Sequence, residues 1–257
     1  CTISMKFVSL GSGSKGNATL VTSGDTSVLV DCGFTLRQTE KRLARVGVSA
    51  ADLNALLVTH EHSDHWAGVE ALAVKYQKQI YLTAGSARAG NGSASDLMHI
   101  IDSHAGFIIG DLAITAVPVP HDSREPVQFI IDADGFRLGL LTDLGCLTPH
   151  VIALYKSCDG LLLEANHDPE ILAKGAYPAF LKSRVSGDWG HLSNQQAVDF
   201  LALIDQQRIQ HILFGHISQQ NNCLNRLQDL LTKVLSDATK VQYATQSEGS
   251  DWLAFES

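Results

Sequence analysis

The stretch Thr59-His60-Glu61-His62-Ser63-Asp64-His65 puts three imidazoles and two carboxylates into consecutive positions, more ligand-type side chains than packing requires. Before it, Asn54-Ala55-Leu56-Leu57-Val58 is short, apolar and branched, which predicts a buried strand that delivers the cluster into a turn. Residues 66–74, opening Trp66-Ala67-Gly68-Val69, read as a helix, with Asp64 placed to cap or precede its first turn. In an extended turn His60 and His62 point the same way, while Asp64 and His65 fall on the other side. That arrangement suits two adjacent metal ions rather than one.

Working outward, residues 6–10 and 18–22 read as strands joined by Gly11-Ser12-Gly13-Ser14-Lys15-Gly16-Asn17. The loop fits GxGxxG, but a dinucleotide fingerprint needs a helix at the glycines, and residues 18–22 are β-branched and strand-like instead. Such a turn can still offer backbone N–H groups to a phosphate. Residues 27–33 form a third strand ending in Asp31. Residues 35–46 read as an amphipathic helix, with Arg37, Lys41, Arg42 and Arg45 outside and Gly47 as its stop. A further strand is expected over 80–83, and a loop or mobile helix over 85–95. Strands return at 107–109, 112–117, 127–131 and 136–141, the last two joined by the hairpin signal Asp134-Gly135. Leu161-Leu162-Leu163-Glu164 reads as a buried strand ending in a carboxylate, Ser193 or Asn194 as a helix cap, and residues 209–214 as another strand leading to His216.

The THEHSDH run matches the HxHxDH pattern of the metallo-β-lactamase superfamily, and its flanks resemble the YycJ (WalJ) family of bacterial metal-dependent nucleases within it. The similarity runs over nearly the whole chain from Met5, through GSGSKGN, LLTDLG, LLLEANHD, GHLSNQQA and HISQQNN. It implies an α/β (α+β) architecture, the metallo-β-lactamase fold, as a four-layer αββα sandwich. It also implies two divalent ions, zinc or manganese, since histidine and carboxylate ligands fit both. By that resemblance His60, His62 and His121 hold one ion, Asp64, His65 and His216 the other, and Asp143 bridges them. Asp31 then braces the HxHxDH loop from beneath by hydrogen bonds. Asp64, His191 and Glu164 are the expected catalytic residues, His191 standing near the leaving group with Glu164 as its partner. Ser12, Ser14, Lys15, Asn17, His167, Ser218, Asn221 and Asn222 are the expected substrate-binding rim. The plainer reading of His191 and His167 is a capping or packing role.

Composition is compatible with this reading. The 257 residues, 45% hydrophobic, suffice for a sizeable core. No apolar run of about eighteen residues occurs, so no membrane partner is expected. No basic stretch followed by an apolar one opens the chain, which argues against export. Residues 1–4 read as a remnant or N-terminal extension, and residues 5–257 as a single domain without repeats or linkers. Alternation of elements changes near Gly145, which suggests two halves. The five cysteines (Cys1, Cys32, Cys146, Cys158, Cys223) are odd in number and form no CxxC pair. They read as reduced thiols in a cytoplasm.

A net charge of −8 disfavours a generic nucleic-acid module held by phosphate contacts alone. Two divalent ions change the balance locally, and several acids are themselves candidate ligands. Lys15, Arg37, Lys41, Arg42, Arg45, Arg124, Lys174, Lys182 and Arg184 are available to line a groove. The family implies a 5′-to-3′ DNA exonuclease, with DNA ahead of RNA as the partner. The other readings are an RNA-processing nuclease, an ester or thioester hydrolase like glyoxalase II or a lactamase, and a degenerate binding protein. The last is disfavoured because no ligand position is lost. The interval from Asp143 to His216 is too short for the added cap domain of the RNA-processing branch.

Overall fold

Two seven-stranded sheets lie face to face in the computed structural model, which describes residues 5–235 and 239–256. The four residues before Met5 are outside that set. The first sheet holds β1 (Lys6–Gly11), β2 (Ala18–Ser23), β3 (Thr26–Val30), β4 (Ala55–Leu57), β5 (Gln79–Leu82) and β6 (Met98–Ile100). The second holds β7 (Gly106–Ile109), β8 (Leu112–Pro118), β9 (Val127–Ala133), β10 (Phe136–Leu141), β11 (Gly160–Glu164), β12 (His211–Gly215) and β13 (Lys240–Tyr243). Strand β14 (Leu253–Ala254) returns to pair with β1 at the edge of the first sheet.

Both sheets follow one plan. Antiparallel strands come first, β1 to β3 and β7 to β10, and parallel strands come after them, β3 to β6 and β10 to β13. Parallel neighbours need long crossovers, and most of these carry helices: Leu36–Arg45 and Val69–Tyr76 on the first sheet, Pro149–Tyr155, Asn194–Leu201 and Leu224–Leu231 on the second. The strands are apolar on both faces because each face is covered. In β3, Val28 and Val30 enter the layer between the sheets with Phe7, Leu57, Phe129 and Leu140, whereas Leu29 faces Leu43, Val69 and Leu72 of the outer helices. The second sheet does the same with Val151, Tyr155, Phe200 and Leu227. The result is the four-layer αββα sandwich of the metallo-β-lactamase fold.

Local chemistry sets the ends. Thr35 and Gln38 form a capping box at the first helix, and Ser193, not Asn194, caps the helix Asn194–Leu201 with Gln196. Asp134 and Gly135 take φ of 55° and 82° in the hairpin between β9 and β10.

Three expectations need correction. The change of sheet falls between Ile100 and Gly106, not near Gly145, because the meander β7 to β10 belongs to the second sheet. The helix after the His-rich run starts at Ser63, stops after Trp66, and resumes over Val69–Tyr76, the chain kinking at Ala67-Gly68 where Gly68 packs on Phe34 and Cys32. Asp64 therefore sits in the first turn and is not the cap, a position taken by His62. No helix among the described residues is long and apolar enough to cross a membrane.

Candidate metal centre

The ends of β3, β4, β8, β10, β11 and β12 converge on one edge of the sandwich, as expected for ligand sites beyond the carboxyl ends of parallel strands. Just past β3, Asp31 accepts hydrogen bonds from Thr59 N and Oγ1, both at 2.9 Å, and from His65 Nδ1 at 2.7 Å. With its proton given to Asp31, the Thr59 hydroxyl has a lone pair for His60 Nδ1 at 2.9 Å. His121 Nδ1 donates to Gly190 O at 3.1 Å. These bonds fix the imidazoles so that His60 Nε2, His65 Nε2 and His121 Nε2 present lone pairs inward.

Two groups of donors result. His60, His62 and His121 lie together, with His121 Nε2 3.3 Å from His62 Nδ1. Asp64, His65 and His216 form the second, Asp64 Oδ2 standing 3.5 Å from His65 Nε2 and 3.6 Å from His216 Nε2. Asp143 joins them: its Oδ2 is 3.2 Å from His65 Nε2, and His60, His65 and Asp143 themselves form a group that could hold an ion. Behind them, the fully buried Glu164 places Oε1 2.8 Å from His216 Nδ1 and 2.9 Å from His191 Nδ1, while Oε2 accepts from Leu192 N.

The electrostatics describe a place built for positive charge. Burial would raise the carboxyls of Asp64, Asp143 and Glu164, yet neighbouring imidazoles outweigh it; Asp64 and Asp143 are held well below the usual range and Glu164 falls to about 2. Burial likewise opposes charge on His65 and His216, and the surrounding carboxylates, Asp143 foremost, push both well above the ordinary value. At His60 and His121 burial outweighs the pull of Asp143 and, with the neighbouring imidazoles, drives both down. Two buried atoms, His60 Nε2 and Asp143 Oδ2, have no hydrogen-bond partner. An unsatisfied buried acceptor costs about 1–3 kcal/mol, and a divalent cation between these atoms would satisfy both, so the donor set fits a metal.

The backbone is strained at the same places. Asp31, Asp143 and His216 adopt φ of 60°, 53° and 52°, a left-handed conformation that non-glycine residues rarely take.

A polar cleft opens over the cluster, bordered by Asp64, His62, His191, Ser14, Ser218 and Asn221. The rest of the expected rim is arranged differently. Ser12 and Asn17 are buried: Ser12 Oγ accepts from His216 N at 2.7 Å, and Asn17 Nδ2 donates to Asp64 Oδ2 at 3.2 Å, so both position ligand-type residues from behind. The N–H groups of Gly11, Ser12, Gly13, Lys15, Gly16 and Asn17 are all bonded within the protein, which leaves this loop little to offer a phosphate. Lys15 is exposed and does not border the cleft. Asn222 is engaged by Ala165 O, Asn166 O and Asn194, and His167 is buried. Of the basic residues named from sequence, only Arg184 lines the cleft. Arg42 donates instead to Leu10 O and Ser247 O, and Arg45 pairs with Glu248. Tyr177, Leu181 and Gln246 also line the cleft and carried no sequence signal, and Asn166 joins them from the LLLEANHD run.

Comparison with known proteins bears on this arrangement. The family model described as Beta-lactamase superfamily domain matches residues 26–217. The chain is 35% identical over 226 residues to the exodeoxyribonuclease WalJ of Streptococcus pneumoniae, covering 86% of this chain and 84% of that protein. It is 31% identical over 238 residues to the exodeoxyribonuclease YycJ of Bacillus anthracis, covering 91% and 90%. Among solved structures, the metallo-β-lactamase fold protein YhfI of Bacillus subtilis matches with a TM-score of 0.74 at 18% identity, covering 97% of this chain and 98% of that one. At that identity the likeness concerns the fold alone.

Proposed function

Because this chain belongs to the metallo-β-lactamase superfamily and, within it, to the YycJ-like nucleases, we propose that it removes nucleotides from the 5′ end of DNA with two divalent ions, zinc or manganese. It is a metal-dependent hydrolase of phosphodiester bonds. The observation that supports the two-ion reading is Asp143, whose unpartnered Oδ2 lies among both donor groups at the floor of the cleft. His60, His62 and His121 would hold one ion, Asp64, His65 and His216 the other, and Asp143 both.

When bound, such ions supply a water acidified to near-neutral pKa and positive charge against the phosphoryl oxygens. The chain's own residues do the rest. Asp31 and Thr59 keep His60 and His65 in the tautomers that present Nε2. Asn17 holds the Asp64 carboxylate, and Ser12 fixes the backbone of His216. Glu164 engages His191 at Nδ1 and supplies its counter-charge, which leaves Nε2 facing the cleft to hand a proton to the leaving oxygen. Polarity and the preference for DNA come from family membership, not from this geometry.

The test is incubation of 5′-labelled and 3′-labelled single and double strands with manganese. Release of the 5′ label first, as mononucleotide, is expected. Cleavage only of structured RNA, loss of the 3′ label first, or no cleavage would overturn the reading.

A further inference from the structure

We infer that Arg184 anchors a substrate phosphate next to the scissile one, and that Asp122 holds it ready for that task; the inference rests on the nuclease reading above. Arg184 is the only lysine or arginine among the described residues lining the cleft, which otherwise holds the carboxylates Asp64 and Asp143 and the imidazoles of His62, His191 and His216. A polyanion entering there meets one permanent cation outside the metal cluster. Other arginines are engaged elsewhere, Arg42 on Leu10 O and Ser247 O, Arg45 on Glu248, Arg208 on Asp159 and Arg226 on Asp168.

The guanidinium is also chemically open. Its Nε donates to Asp122 Oδ2 at 2.5 Å, and its two terminal nitrogens make no hydrogen bond to the described residues. Those two nitrogens form the fork that binds a phosphate through paired hydrogen bonds. The Arg184 and Asp122 side chains are 55% and 29% exposed, so solvent reaches the pair and a phosphate can compete for it.

Asp122 also fixes where Arg184 acts. Its other oxygen, Oδ1, lies 3.6 Å from His121 Nε2 and 3.9 Å from His62 Nε2. The carboxylate thus stands between the histidines and the guanidinium, which places Arg184 one side chain beyond His62 and His121. Its helix, Ala179–Ser186, buries none of its residues and turns Leu181, Arg184 and Val185 to the cleft. An element with no core role but a face on the site is suited to substrate contact.

The test compares wild type with Arg184→Gln and Arg184→Lys on a single-stranded DNA oligonucleotide and on bis(p-nitrophenyl) phosphate, a diester with no neighbouring phosphate. For Arg184→Gln the ratio of kcat/KM on the oligonucleotide to kcat/KM on the diester is expected to fall roughly 10- to 100-fold, mostly through KM. The salt dependence of oligonucleotide binding should lose about one phosphate's worth of slope. Arg184→Lys should restore the slope and only part of the ratio, since it keeps the charge and loses the fork. An unchanged ratio and slope in Arg184→Gln overturns the inference while the nuclease reading stands. A wild-type protein inactive on the oligonucleotide overturns both.

Discussion

Asp31 and His65, thirty-four positions apart in the chain, meet at 2.7 Å through Oδ2 and Nδ1, and both are buried. One carboxylate thereby sets the tautomer of an imidazole and, through Thr59, the position of the loop that carries it. Asp31→Ala is expected to lower metal affinity about 10- to 100-fold while the chain stays folded. Chelator competition on purified protein measures this. An affinity equal to wild type would show that His65 is oriented by something else.

Elemental analysis of the gently purified protein should give about two divalent ions per chain. The proposed bridge makes Asp143 a ligand of both sites, so in Asp143→Ala content should fall below one ion and phosphodiesterase activity should vanish with circular dichroism unchanged. Full turnover in that variant would place the bridge on another residue.

Protons and metal compete for the same cluster, and the metal-free protein should reveal it. The pKa values of His65 and His216 are raised on folding, so their contribution is complete below the unfolded value of about 6.5 and is lost as pH rises through the folded values. Glu164, Asp64 and Asp143 are depressed, so theirs is complete above about 4.5 and is lost as pH falls, for Glu164 toward about 2. His60 and His121 run the other way, their contribution present above about 6.5 and lost as pH falls. Metal-free protein should therefore be most stable near about pH 6.5, with Tm falling from there to about pH 9 as His65 and His216 lose their protons. Metal needs neutral imidazoles, so the Tm gap between loaded and stripped protein should widen over that interval. A stripped protein whose Tm rises toward pH 9 would contradict the charge assignment.

Glu164 Oε1 serves His191 and His216 at once. His191→Ala should lower kcat by about 10²–10⁴-fold with little change in binding if Nε2 protonates the leaving oxygen. A leaving group as good as nitrophenolate needs no proton, so the loss should shrink on such an ester. Equal loss on both substrates would leave His191 a purely structural role.

The strands around the site were legible because each carries a branched apolar run ending in a ligand-type residue, as Val30 leads to Asp31 and Gly215 to His216. The helix Ala179–Ser186 was not, since it buries nothing and shows no apolar period. β6, β13 and β14 are short strands of two to four residues, too brief for a pattern. In the site, the structure brings together the histidines of the HxHxDH run, His121, His216 and Asp143, which motif and order had singled out. The duties of Ser12 and Asn17 were not, because their partners His216 and Asp64 come from distant parts of the chain. Arg184 looked like any surface cation until the fold set it beside Asp122.

Left-handed backbone at Asp31, Asp143 and His216 has a price in heat resistance: a glycine would relax each by about 1–2 kcal/mol. That relief is cancelled where the side chain holds its neighbours: Asp31 carries Thr59 and His65, and Asp143 and His216 pair with each other in the buried cluster. A laboratory selection that rewarded only survival of heating would therefore leave all three residues in place.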